Sequence, residues 1–264
     1  MRYTIDRIAH LEWINYAATQ AIAQHTPGLT LQMRDDAIIT ASQTLPAPDT
    51  THACLLRATP HTADNLIAEL KTYFGSRGLP TTLYLSPACT PADLEARLQQ
   101  QGFVRQAEEA WLVLPNLPAL ELPPPAPRFS VKPIERAEAE TFARVFASAF
   151  QMPSDLAPLI TQLLLPTLGL PGVYHYLAWE GDRPVGTLSL VCYQNVGIIG
   201  SAGVTAARRG SRVASNLMLR AARDARRQGV DRLVLQTAAN SKLERLLRIS
   251  GFRRAFVRTG YTLP

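Results

Sequence analysis

Residues 202–218 read AGVTAARRGSRVASNLM. Small residues Ala202-Gly203-Val204 close an apolar, strand-like run. A polar, basic loop follows, and an amphipathic helix then begins. The first turn of such a helix presents backbone N–H groups with no internal partner, and the helix dipole adds positive potential there. Gly210 lets the backbone approach a phosphate closely, and Arg208, Arg209 and Arg212 add formal charge at the same point. Donors that converge in this way suit a pyrophosphate better than a smooth nucleic-acid groove. The stretch is not a GxxxxGK[ST] P-loop. With Gly210 alone in the loop it is not a GxGxxG dinucleotide turn either.

Working outward, a strand is expected over 129–134, a helix over 136–150 and a second helix near 155–165. Strands follow over 173–180, 184–193 and 196–204, the first two joined through the turn Glu180-Gly181-Asp182-Arg183. After the 205–211 loop come a helix over 212–228, a strand over 231–236, a helix over 240–249 and a last strand over 252–262. Antiparallel strands followed by strand–helix–strand–helix–strand define a mixed α/β sandwich. The earlier part of the chain ends in the same order, with a strand near 53–58 and a helix near 63–76. Helix 7–24 carries Ile8, Leu11, Ile14, Ala18 and Ile22 on one face, as an ordinary amphipathic core helix does.

A weak repeat supports duplication. Residues 94–103, LEARLQQQGF, and 243–252, LERLLRISGF, both fit LExxLxxxGF, each after a short apolar strand (82–85 and 232–235) and before another. Thr90-Pro91-Ala92-Asp93 reads as the N-cap and first turn of the earlier helix. Residues 115–127, PNLPALELPPPAP, hold six prolines and read as a stiff extended spacer. The expected domains are therefore 1–114, a 115–127 linker, and 128–264.

A chain of 264 residues, 47% hydrophobic and 18% charged, can build two packed cores. Its apolar runs are too short to span a bilayer, and its start lacks a secretory pattern. Three scattered cysteines, Cys54, Cys89 and Cys192, fit free thiols and a cytoplasmic setting rather than a disulfide scaffold or a CxxC metal site. The net charge of +6 is unevenly placed. Residues 201–264 hold 14 Lys+Arg against 3 Asp+Glu, while residues 1–127 hold 8 against 12. Solvated helix faces account for such arginines, and so does a polyanionic ligand, either a phosphorylated cofactor or a nucleic acid.

The run Val204-Thr205-Ala206-Ala207-Arg208-Arg209-Gly210-Ser211-Arg212-Val213-Ala214 resembles the acyl-CoA pyrophosphate signature of the GNAT superfamily of N-acyltransferases, Val-x-x-x-x-Arg-Gly-x-Gly-[Ile/Val]-[Gly/Ala]. A second element of that family, Asn-x-x-Ala-x-x-Leu-Tyr before Gly-Phe, is similar to Asn240 through Leu247 followed by Gly251-Phe252. The resemblance implies an α/β (α+β) chain of two GNAT-like domains, the first degenerate. Each would be a mixed, mostly antiparallel twisted sheet flanked by helices. It implies acetyl-CoA as cosubstrate and no metal. Val204 and Thr205 would pair with the pantetheine arm between two splayed strands. The N–H groups of Arg209, Gly210, Ser211, Arg212, Val213 and Ala214 would cradle the pyrophosphate, and Asn240 would hold the arm near the thioester.

Two positions depart from the pattern. Arg212 replaces the second loop glycine, so it must keep an ordinary φ or carry strain of about 1 kcal/mol or more. Leu247 replaces the tyrosine that often protonates the leaving thiolate, so another group or solvent must do so. The corresponding loop of the first half, 59–64, has no Arg-Gly turn and carries Asp64, so it should not bind CoA tightly.

Acetyl transfer to an amine needs a base for the nucleophile and an acid for the thiolate. Strand 196–204 holds no Asp or Glu. The candidates are His175, Tyr193, Ser201 and Tyr261. His175 alternates with Val173, Leu177 and Trp179, which equally fits a packed strand histidine, and Tyr174 and Tyr176 fit packing roles. Cys192 is the weakest candidate, since direct transfer needs no covalent step. The expected activity is N-acetyltransfer from acetyl-CoA to a small-molecule amine. A non-catalytic acyl-CoA binder and, behind it, a nucleic-acid module on the arginine face are the rivals. No membrane partner is expected. The acidic first half and the basic last quarter permit a homodimer without requiring one.

Overall fold

A computed structural model describes residues 3–264. In chain order its elements are α1 (Ile5–His25), β1 (Leu29–Met33), β2 (Ile38–Ser42), β3 (His52–Cys54), α2 (Ala63–Gly75), β4 (Thr82–Leu85), α3 (Leu94–Gln100) and β5 (Val104–Leu114). Then come β6 (Ser130–Pro133), α4 (Ala139–Ala149), α5 (Ala157–Leu164), β7 (Val173–Glu180), β8 (Arg183–Tyr193) and β9 (Val196–Val204). Last are α6 (Val213–Arg227), β10 (Arg232–Ala238), α7 (Lys242–Ile249) and β11 (Arg253–Thr262). The chain divides into two compact units. One runs through Val113 and adds Gln236–Pro264; the other is Leu114–Leu235.

The two units share one topology. In the first, β1, β2 and β3 are antiparallel neighbours, α2 crosses over, and β4 pairs parallel with β3 through Ala53 and Leu83. In the second, β7, β8 and β9 are antiparallel, α6 crosses over, and β10 pairs parallel with β9. Strand β6 adds to the free edge of β7. The sequence places residues 236–264 with the second half, whereas the structure places them in the first unit. The reason is hydrogen bonding: β11 lies antiparallel to β4, Thr259 opposite Leu85, and antiparallel to β5, Arg258 opposite Glu109.

The first unit packs α2 and α3 on one sheet face, where Leu66, Ile67, Leu70, Phe74, Leu94 and Leu98 meet Leu83 and Tyr261. Helix α3 starts at Leu94 with Asp93 at its N-cap and no side-chain cap, so the expected capping role of Thr90 is not made. A second group of residues in this unit is polar and buried. Tyr16 of α1 donates to His52 Nε2 at 2.6 Å and accepts from Arg258 at 2.9 Å, while Arg258 Nε donates to Glu109 at 2.7 Å. His52 Nδ1 donates to the Pro48 carbonyl, which leaves Nε2 as the acceptor. The guanidinium lies over the Tyr84 and Trp111 rings.

One helical turn before Tyr16 stands Glu12, wholly buried. Its Oε2 accepts from Ser86 at 2.5 Å and its Oε1 has no partner among the described residues. Burial raises this carboxyl to about 7, against the opposing pull of Arg258 and the Ser86 hydrogen bond. A raised acid binds its proton more tightly folded than unfolded. Its stabilisation is full below the unfolded pKa of 4.5 and is lost as pH rises through about 7. Glu12→Gln keeps an acceptor for Ser86 without the charge. It is expected to match the wild type at about pH 3.5, below the unfolded pKa, and exceed it by about 3 kcal/mol at pH 9 in urea unfolding. Equal unfolding midpoints for the two proteins at pH 9 would show that Glu12 carries no such penalty.

The second unit packs α4 and α5 on one sheet face and α6 on the other. Phe142 lies edge-on to His175, while Tyr176 donates to Asp224 of α6 at 3.0 Å. The proline-rich segment is extended but not free. Proline removes N–H donors, and the segment's carbonyls take theirs from α6. Arg223 donates to Pro123 O, Arg226 to the Leu117 and Leu120 carbonyls, and Asn216 to Ala126 O. Much of the arginine excess in α6 is thereby engaged inside the unit. No helix among the described residues is long and apolar enough to cross a membrane.

Candidate functional site

The site is built at the end of β9. Between Thr187–Gly203 and Ser189–Gly200 the β8/β9 register shifts, because β9 spends two residues, Ser201 and Ala202, where β8 spends one. Ser201 takes φ +51, and Thr187 Oγ1 donates to its carbonyl at 2.8 Å. A bulge of this kind bends a strand and increases its twist. On the other side, β10 pairs with β9 only from Arg232–Val196 to Val234–Ile198. The remaining stretch, Ile199 to Val204, has no β10 partner. An open strand edge of this sort can take an extended, amide-bearing ligand as an added strand.

The basic loop follows directly. Thr205 N–H donates to Val185 O and Arg208 N–H to Thr205 O, which closes a short turn over Ala206–Arg208. Two residues then reverse the chain into α6. Gly210 has φ +80 with open space where a Cβ would stand. Arg212, the N-cap, has φ +66, so of the two conformations open to it the strained one is taken. The arginine adopts the left-handed conformation that glycine would adopt, at a cost of about 1–2 kcal/mol. Local strain of this kind is found where surrounding structure holds a ligand-binding turn in place.

The N–H groups of Gly210, Arg212, Val213 and Ala214 have no acceptor among the described residues, and no side chain caps α6. Those of Arg209 and Ser211 are partly spent within the loop, on Ala206 O and Arg208 O, so the cradle is narrower than six consecutive amides. The three arginines divide. Arg208 is paired with Glu180 at 2.5 Å and Arg209 donates to Ala149 O at 2.9 Å. Arg212 is exposed, with no side-chain partner among the described residues. Gly186 lets α6 come down onto the sheet here, since a Cβ on it would stand 2.8 Å from Val213 Cγ1.

The four acid–base candidates are not gathered. His175 is buried, with Nε2 donating to Thr167 Oγ1 and Nδ1 accepting from Ser189, both at 2.8 Å. The tautomer follows because Thr167 spends its own proton on Leu164 O. Burial lowers His175 to about 4, so it is neutral at pH 7. Tyr193 pairs with Val196 at the hairpin end of β9, about 17 Å along the strand from Ser201. Ser201 stands in the bulge. Tyr261 is in the core of the first unit, raised to about 12 chiefly by burial.

Asn240 also lies in the first unit. It takes φ +60, its Oδ1 accepts from Arg254 at 2.9 Å, and its N–H donates to Glu244. Leu247 is half-buried on α7. Sequence reading missed Glu180, the partner of Arg208, which the 180–183 turn concealed.

The corresponding region of the first half is arranged differently. Leu55, with φ +50, repeats the kink at Ser201. Past Ala53–Leu83, however, the strands do not stay apart. Thr90 N–H donates to Leu56 O at 2.9 Å and Ala58 N–H to Thr90 O at 3.1 Å, so the chain fills the slot with its own backbone. The loop before α2 has no left-handed residue, and Asp64 stands in the first turn of that helix, paired with Arg97.

Residues 139–252 match the model of the acetyltransferase (GNAT) family. Solved structures share the fold along nearly the whole chain. A GCN5-related N-acetyltransferase from Kribbella flavida aligns over 97% of this chain and 95% of its own, with TM-score 0.71 and 13% identity. A tandem GNAT protein from the clavulanic acid biosynthesis pathway aligns over 99% and 96%, with TM-score 0.63 and 14% identity. A GCN5-related N-acetyltransferase from Sphaerobacter thermophilus aligns over 99% and 94%, with TM-score 0.58 and 16% identity. At these identities the likeness is one of fold. A search of curated proteins finds no match.

Proposed function

We propose that the chain transfers an acetyl group from acetyl-CoA to a small-molecule amine, using the loop and strand edge of the second unit. The observation that carries this reading is the set of unpaired N–H groups at Gly210, Arg212, Val213 and Ala214 beside the unpartnered edge of β9. The N–H groups would hold the pyrophosphate at the positive end of α6, and Ile199–Val204 would pair with the pantetheine arm. The thioester would then stand near the bulge. The amine forms the new N–C bond as the C–S bond breaks, and the thiolate leaves. The main contribution is proximity. No carboxyl, imidazole or phenol at the bulge is placed as an acid: His175 is neutral and has both nitrogens engaged, Tyr193 is at the far end of β9, and the Ser201 hydroxyl, which stands in the bulge, is too weak an acid to lose its proton in the working pH range. The proton lost by nitrogen therefore reaches sulfur through solvent.

The test is thiol release from acetyl-CoA over a panel of amines. The rate is expected to rise with pH along the amine's own ionisation, with no fall at high pH from loss of an enzyme acid. Leu247 favours a second reading, a CoA binder without turnover. Calorimetric binding of acetyl-CoA with no thiol release from any amine would select it, and no binding would end both.

A further inference from the structure

We propose that the acceptor is an amine carried on an apolar, preferably aromatic, group, and that Phe150 is the residue that selects it; this rests on the acetyl-transfer reading. Phe150 is 48% exposed, an unusual setting for a phenylalanine on a rigid framework. Its ring lies on the backbone of β9. A Cβ built on Gly203 would stand 2.8 Å from Phe150 Cε2 and 2.8 Å from Ala149 Cβ. Only glycine permits that approach, and Gly203 directly precedes Val204. The neighbouring position on the same face, Gly200, is exposed with nothing within 4 Å of an added Cβ. The ring thus forms one wall beside an open floor at the bulge.

The wall is held rigidly. Phe150 is the C-cap of α4, and its N–H donates to Phe146 O. Beyond it, Gln151 takes φ +57, Gln151 N–H donates to Ser148 O, and Met152 N–H donates to Ala147 O at 2.9 Å. That is the paired hydrogen bonding of a Schellman cap, with glutamine in the place of the usual glycine. The ring leans on Phe146, centroids 4.6 Å apart, which stacks on Phe142. Arg209 fixes the end of the helix by donating to Ala149 O. The surface so formed, Ala149 to Met152 and Gly200 to Val204, contains no carboxylate to hold a second ammonium group. Aromatic ligands gain from offset or edge contacts with such a ring beyond the area they bury.

The experiment compares phenethylamine with the polyamine spermidine by thiol release from acetyl-CoA, on the wild type, Phe150→Ala and Phe150→Asp. Acetyl-CoA affinity is measured by calorimetry on each protein. The wild type is expected to favour phenethylamine in kcat/KM by about tenfold or more, the scale on which apolar pockets discriminate. Phe150→Ala should reduce that preference and Phe150→Asp should reverse it, with acetyl-CoA affinity unchanged in both. A preference for spermidine, or a ratio that ignores both substitutions, overturns the proposal while leaving the acetyl-transfer reading intact. So does the finding that Phe150→Ala shifts the choice among acetyl-, propionyl- and butyryl-CoA but not among amines, which would assign the ring to the acyl group. If acetyl-CoA binds and no amine turns over, phenethylamine is titrated into the CoA-saturated protein, and absence of binding at millimolar concentration overturns it as well. Failure to bind acetyl-CoA removes the functional reading itself.

Discussion

Replacing Arg258 by methionine is expected to destabilise the fold by about 3–5 kcal/mol, the range seen when one partner of a buried ion pair is removed. The guanidinium is 5% exposed and serves three elements at once. It donates to Glu109 on β5 and to Tyr16 on α1, and it lies 4.0 Å from the Tyr84 ring centre on β4. Without it, Glu109 keeps a charge with no partner of opposite sign in contact. Tyr16 keeps its bond to His52, which burial, with Arg258 adding to the effect, has pushed down to about 3. Methionine fills the space but supplies no donor. Arg258→Lys should recover part of the loss, since an ammonium keeps the charge and lacks the fork that reaches two acceptors. Chemical unfolding at pH 7 measures both. A methionine variant as stable as the wild type would mean that the desolvation cost of the pair cancels its attraction. In that case the network contributes specificity of packing and no net stability.

This network also marks what the sequence could and could not disclose. The elements of the second half were legible close to their bounds, because β7, β8, β9 and α6 are long and strongly periodic. The turn into α6 was legible as well, because small residues, three arginines and a glycine stand together before an amphipathic run. Strand pairing was not legible. Nothing local in residues 253–262 says that they lie between β4 and β5, since a strand's neighbours are chosen by the whole sheet. Nothing local set Arg258 apart from the other arginines of the last quarter. Strands β1 and β2, five residues each, are too short to announce themselves by period. The φ of Arg212 was left open for a related reason. Propensity speaks against a left-handed arginine, and the reversal of the chain into α6 outweighs it. The use of Arg223 and Arg226 was hidden too, because a proline-rich segment's need for donors appears only once its carbonyls have a helix beside them.

Replacing Gly210 by aspartate is expected to weaken acetyl-CoA binding by about 100-fold or more, equivalent to about 2.7 kcal/mol. Two effects add. Gly210 sits at φ +80, where a side chain costs about 1 kcal/mol or more. The new carboxylate would stand among the N–H groups of Arg212, Val213 and Ala214, taking donors that a pyrophosphate needs and repelling its charge. The space beside Gly210 is open, so the fold has no steric reason to fail, and an unfolding midpoint lowered only by that backbone cost separates lost binding from lost structure. The wild-type titration carries an independent check, because it should saturate at one acetyl-CoA per chain. In the first half the Thr90 backbone already occupies the slot beside Leu56 and Ala58, and Asp64 stands in the first turn of α2. Two equivalents bound would mean that this slot opens to ligand. Binding that survives Gly210→Asp at full strength would place the pyrophosphate elsewhere. The strained turn at Arg212 would then have to be explained by something other than an anion.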